Sequence, residues 1–213
     1  MRFTEHEMVF LNSITKGEVV FGIPLHFRTK NGRTVEIEKT IEGLIQKKIL
    51  KSETELSELG VLPARILELY KQSKTYIIIN YLHIALIEGQ DAIVIIPLKN
   101  KEYELLRLPK VAIVYLLLKQ YPVLQGAATG VQAGIKKVDY DSILSQLPSC
   151  EGNIMVGAFE NNQIISEHVY YWKNDKVRRY DLNSQIEKEI CVTEIRREIL
   201  RLLQVDAEVN KYA

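Results

Sequence analysis

Apolar positions along this chain change spacing several times, and each change marks an element. Ile37, Ile41, Leu44 and Ile45 recur at helical spacing after Val35 and predict an amphipathic helix that stops near Lys48. Ahead of it, Thr4 and Glu7 stand at the spacing of a capping box, with Phe3 and Met8 placed as a hydrophobic staple. A first helix is therefore expected there, ending near Gly17. Val19 to Ile23 reads as a short extended piece leading to Pro24 and Leu25 to Arg28, with a turn at Lys30-Asn31-Gly32-Arg33. Ser52 and Glu55 read as a second capping box followed by Leu56 and Leu59, and Pro63 is expected to open a further helix carrying Ile66, Leu67 and Tyr70.

Beyond Lys74 the pattern becomes that of strands. Tyr76 to Leu86, Ala92 to Leu98 and Tyr103 to Leu108 read as a three-stranded meander, and Pro109 opens a helix that Tyr121-Pro122 closes. The Gly- and Ala-rich stretch Gln125 to Gly134 reads as a mobile linker. Asp139 or Asp141 is expected to cap a short helix ending near Leu147-Pro148, and Thr193 a last helix with Ile195, Ile199, Leu202 and Leu203. Between them, Asn153 to Leu182 reads as a second antiparallel meander, turning at Asn161-Asn162 and Asn174-Asp175. The plan is helical material, meander, helix, twice over. It predicts an α+β fold with a pseudo-two-fold repeat, residues 1–213 forming one domain of two halves, 1–122 and 135–213, joined by 123–134.

Two-residue turns fix the register expected of the second meander: Phe159 opposite Ile164, Gly157 opposite Ser166, Met155 opposite His168, Trp172 opposite Val177 and Tyr170 opposite Arg179. One face would then carry Ile154, Val156, Ala158, Ile165, Val169, Tyr171, Tyr180 and Leu182 and pack against helices. The other would mix Met155, Phe159, Tyr170 and Trp172 with Gly157, Ser166, His168, Arg179 and Asp181, a composition suited to a contact surface. Met155, Phe159, His168, Tyr170, Trp172 and Arg179 are accordingly the expected partner-binding residues. The competing reading buries both faces, since aromatic stripes on strands are usually core. The first meander is the more apolar of the two, which places the partner surface on the second.

Composition narrows the function. The 213 residues are 46% hydrophobic and 26% charged, as in ordinary globular proteins, and 28 basic against 27 acidic residues give a net charge of +1, without the basic excess of a nucleic-acid binder. Cys150 and Cys191 lie far apart, which fits a reducing compartment, and no window approaches the ~20 apolar residues of a membrane helix, so cytoplasm is expected and stable membrane insertion is not. His6, His26, His83 and His168 fall on separate elements without ligand-spaced neighbours, so no metal or cofactor is expected. No acid–base pair or nucleophile stands out, and the chain is expected not to be an enzyme. Glu102 and Glu104 near Arg107, and Glu187 and Glu189 near Lys188, read as solvated faces. Lys176, Arg178 and Arg179 form a basic cluster that would steer an acidic partner or guard an edge strand. The Ile41 to Leu59 region, with Lys47, Lys48 and Lys51, has the outline of a winged-helix unit, but the near-neutral charge disfavours DNA.

The chain resembles the EspG family, cytosolic chaperones of ESX-type (type VII) secretion. The resemblance rests on the opening helix over Phe3 to Leu11, Pro24-Leu25, Glu42-Gly43-Leu44-Ile45 with Ile49-Leu50, and the proline-bounded helix from Leu108-Pro109 to Tyr121-Pro122. It continues in His168 to Trp172, Asp175 and Arg179-Tyr180. The chain is shorter than the family and has Ile190-Cys191-Val192 where a Trp often precedes the final helix. The resemblance implies a central antiparallel sheet with two helical bundles and a non-catalytic role. In that role the protein covers the apolar tip of a helical secreted effector, or of its small helical partner, and acts as a monomer or weak homodimer. A winged-helix regulator and a toxin-neutralising immunity protein are the alternative readings.

Overall fold

The computed structural model describes residues 1–25, 33–126, 134–174 and 176–205, with the backbone alone at 33–36, 122 and 123. In chain order the elements are β1 (Arg2–Thr4), α1 (Glu5–Ile14), α2 (Arg33–Gln46), β2 (Leu50–Ser52), β3 (Glu55–Leu56), α3 (Glu58–Gln72), β4 (Thr75–Ile79), β5 (Leu82–Leu86), β6 (Asp91–Pro97) and β7 (Glu102–Pro109). There follow α4 (Lys110–Gln120), β8 (Ile135–Lys137), α5 (Tyr140–Gln146), β9 (Gly152–Glu160), β10 (Gln163–Lys173), β11 (Lys176–Asp181), β12 (Ile186–Ile190) and α6 (Val192–Leu202). The fold is α+β, with a large antiparallel sheet and six helices among the described residues. Read along the chain, the repeat expected from the pattern is present, but each meander has four strands. The first turns additionally at Asn80, whose φ of 51° ends β4, and the second continues into β12. The stretch Leu25 to Arg28 that follows the expected extended piece falls outside the described residues except for Leu25. Most of the turn at 30–33, the linker residues 127–133 and Asp175 also lie outside.

The chain divides into two compact units, Met1–Ser73 with Tyr81–Arg107, and Lys74–Asn80 with Leu108–Ala213. In the first unit the strands run in the order β1-β7-β6-β5, with β2-β3 as a separate hairpin. Thr4 caps α1 with both hydrogen bonds of the box in place, and Phe3 and Met8 are buried beside it. The second box, expected at Ser52 and Glu55, does not form. Lys48, at φ 57°, ends α2, Ile49 and Leu50 drop into the core, and Ser52 and Glu55 pair across the β2-β3 hairpin. Ser57 caps α3 instead, so Pro63 lies inside that helix rather than at its start. Residues 19–23 are irregular, with a turn at Gly22 (φ 70°), not a strand.

In the second unit the order is β4-β9-β10-β11-β12-β8. Asn161 and Asn162, both at positive φ, make the expected two-residue turn and set Phe159 opposite Ile164. The register then shifts between Ile164 and Ser166. Ile165 is the surplus residue of a β-bulge, after which Glu167 faces Gly157, His168 faces Val156 and Val169 faces Met155. The expected pairs Gly157–Ser166 and Met155–His168 are thereby corrected, while Trp172–Val177 and Tyr170–Arg179 stand. Because side chains alternate, one residue of slip moves everything beyond it to the opposite face. Ile154, Val156 and Ala158 share a face with His168, Tyr170 and Trp172, and α6 lies on it. Val169, Tyr171 and Tyr180 face the other way and pack on Ile143 of α5. Asp139 caps α5, and Cys191, not Thr193, stands at the N-cap of α6.

The first turn of α3 depends on a close approach. A Cβ on Gly60 would lie 1.9 Å from the carbonyl oxygen of Ile49, a backbone atom fixed by its hydrogen bond from Ser57 N. Gly60→Ala is expected to destabilise the protein by about 1–3 kcal/mol through this overlap, despite alanine's better helix propensity. Urea denaturation of the two proteins measures it, and an equally or more stable variant contradicts the packing.

Candidate partner-binding site

The six residues expected to form a partner surface do not share one. Met155 is 43% exposed and Phe159 half-buried on one face, where the Phe159 ring lies over Gly157. His168, Tyr170 and Trp172 sit on the other and are 8%, 1% and 5% exposed, with Arg179 partly exposed beside them. The bulge at Ile165 is the cause. The basic cluster is likewise taken up internally: Lys176 pairs with Glu189 at 3.0 Å, Arg178 with Glu187 at 3.2 Å, and Arg179 reaches Glu198 at 3.9 Å. Glu187, expected to be solvated, is buried on β12 and also accepts a hydrogen bond from the Tyr171 hydroxyl.

Beneath α6, three of those residues, His168, Tyr170 and Arg179, meet a carboxylate. Glu198 Oε1 lies 2.8 Å from His168 Nδ1, and Oε2 accepts from the Tyr170 hydroxyl. His168 Nε2 lies 3.2 Å from Asp181 Oδ2, while Asp181 Oδ1 accepts from the backbone N–H groups of Asn183 and Ser184. Burial pushes the Glu198 carboxyl up, but the hydrogen bonds from His168 and Tyr170 and the charge of Arg179 outweigh it and hold the group below its ordinary value of 4.5. Asp181 is pushed up by burial too, and the Ser184 and His168 hydrogen bonds bring it below 3.8. Burial, reinforced by Glu198, drives the Tyr170 hydroxyl far above the usual phenol range. The two carboxylates lie on opposite ring nitrogens, an arrangement for holding an imidazole rather than converging on a cation. Among the described residues no group of three or more His, Cys, Asp or Glu is placed to hold a metal ion.

On the far flank of α6, Val114, Leu117 and Leu118 of α4, Leu124 of the following turn, and Ile199 and Leu200 of α6 line a small, shallow apolar cleft with Arg196 at its edge; Val114 and Leu118 are its partly exposed members and the other four are buried. The adjoining outer side of α4 exposes Val111, Tyr115 and Leu116, at 47%, 65% and 48%. A helix apolar on nearly all sides is normally covered, and one left open marks an interaction surface. Arg197, Arg201 and Lys119 are exposed on the same two helices. Sequence reading gave α4 only as the proline-bounded helix that closes the first half. The missed signal was that KVAIVYLLLKQ has no polar face.

Folded carboxyl groups held below their ordinary values add stability that is fully present above pH 4.5 and lost as pH falls below 3.8. Glu198→Gln is expected to cost about 1–3 kcal/mol near neutral pH, the penalty of weakening a buried charge-assisted network, and to flatten the acid limb of the profile. Denaturation measured at neutral and acidic pH gives both quantities. An unchanged acid slope removes Glu198 as its source.

No curated protein matches the chain in sequence. Among solved structures it is similar to the type VII secretion system chaperone EspG5 of Mycobacterium tuberculosis, determined in complex with the PE25-PPE41 dimer. The TM-score is 0.58 at 8% identity, over 96% of this chain and 95% of that one, a likeness of fold. A family model matches residues 1–133, more than half of the sequence, and the chain therefore belongs to that family, a domain of unknown function (DUF5081).

Proposed function

We propose that this protein is a non-catalytic chaperone or adaptor of a type VII secretion system. It works in the cytoplasm and binds a helical secreted effector or its small helical partner, covering apolar surface until export. The observation that carries the reading is the exposed apolar face of α4, Val111, Tyr115 and Leu116, beside a shallow apolar cleft that α4 and α6 line with Arg196 at its edge. Those features suit the apolar ridge of an amphipathic helix flanked by carboxylates, the helix-in-groove mode of recognition. The fold shared with EspG5, a chaperone solved with a bound PE25-PPE41 dimer, supports the same reading. No helix among the described residues is long and apolar enough to cross a membrane.

In this reading the residues singled out from the sequence take two parts. His168, Tyr170 and Arg179 hold Glu198 and so set where α6 stands, with Trp172 packed in the same layer. Met155 and Phe159 lie on a separate face. Partner contact falls to Tyr115, Leu118, Leu200 and Arg196.

Co-expression with the small helical proteins encoded beside the gene, followed by affinity capture, tests the proposal. Tyr115→Glu and Leu118→Glu are each expected to weaken retention by about 2 kcal/mol, roughly thirtyfold, as for a central interface residue. Met155→Glu serves as the control and is expected to leave it intact. Capture lost only with Met155→Glu would move the surface to the sheet, and no capture of any such partner would end the reading.

A further inference from the structure

The layer beneath α6 is unusually polar for a helix packed on a sheet. Ser166, His168, Tyr170 and Trp172 alternate along β10 under the helix, and Glu198 comes down between the buried Ile195 and Ile199 to meet them. His168 is faced by Glu198 from α6, by Asp181 from β11 and by the Tyr170 hydroxyl from β10, while β9 offers the apolar Val156. Arg179 stands 3.9 Å from Glu198, and one turn earlier on α6 Glu194 is 3.8 Å from Lys188 of β12. Three carboxylates, Glu198, Asp181 and Glu194, thus lie near two fixed cations, Arg179 and Lys188.

A neutral imidazole has one N–H, so with a carboxylate oxygen at each nitrogen, one nitrogen must set its lone pair against an anion. Only the doubly protonated ring donates on both sides. We infer that His168 is a pH-responsive positioning residue: its second proton draws Glu198 and Asp181 together, clamps α6 to β10 and β11, and so sets the α6 wall of the α4–α6 cleft. Glu198 is followed on α6 by Ile199 and Leu200, two residues that line the cleft. The clamp has two edges. On the acid side the carboxylates take up protons, below their ordinary values of 4.5 and 3.8. On the alkaline side, a neutral ring can donate to only one of the two carboxylates, so one half of the bridge is lost while Glu198 keeps Tyr170 and Arg179.

The clamp is a property of the second unit alone. Its consequence for the cleft rests on the proposed function, so the test uses the free protein. Amide hydrogen exchange of α6, corrected for the intrinsic pH dependence, is followed from about pH 5 to about pH 9, the range in which an imidazole sheds its proton. Protection of α6 relative to α5, which packs on the opposite face, is expected to fall about tenfold or more across that range, the worth of one charge-assisted hydrogen bond. His168→Gln and Asp181→Asn are each expected to abolish the slope, and Asp181→Asn retains an oxygen for the Asn183 and Ser184 N–H groups. Titration of the His168 ring protons by NMR in the unaltered protein gives a second readout that needs no variant. Flat α6 protection, an equal fall in α5, or a slope that persists in both variants would overturn the inference. Capture of a partner with no pH response in α6 would refute the clamp and leave the proposed function standing.

Discussion

A single surplus residue in β10 constrains the second unit more than any contact does. With Ile165 bulged out, the polar and aromatic positions of the strand, His168, Tyr170 and Trp172, lie on the face with Ile154 and Val156, and α6 must cover them. Without the bulge that face would meet α5, whose short helix offers Ile143 and no carboxylate placed to receive an imidazole and a phenol. The bulge thus selects which helix is tied by ion pairs and which by apolar contact. Everything on the far side of α6, including the cleft wall, takes its place from that choice.

Much of the fold was legible because its signals are local. The capping box at Thr4, the proline before α4 and the paired asparagines of the β9–β10 turn each act through the few residues around them, and all three stand as expected. What could not be read was decided at a distance. The β2-β3 hairpin exists because Ile49 and Leu50 are drawn into the core, which overrides a capping pattern at Ser52 and Glu55 that is sound in isolation. The strand β12 was hidden by its charges: Glu187 looks solvated until Arg178 and the Tyr171 hydroxyl are brought to it by strand pairing. A bulge inside a strand leaves no signature comparable to a turn, so the faces were inverted even though the turn was right.

The site shows the same division. His168, Tyr170 and Arg179 were picked out as a mixed polar and aromatic set, and they do converge, but around Glu198, a residue whose importance comes only from helix α6 crossing their strands. The exposed apolar face of α4 was written plainly in its sequence as the lack of a polar side. It went unread because one stripe of the helix, through Ile113 and Leu117, is buried as in any amphipathic helix, and the rest was not weighed against it.

The place of Trp172 has a practical corollary. It is the only tryptophan in 213 residues, it is 5% exposed, and its indole nitrogen has no hydrogen-bond partner among the described residues. An indole held dry and unbonded emits toward the blue, so the protein's tryptophan emission is a signal of one layer in the second unit. It registers solvent reaching the α6 side of that sheet.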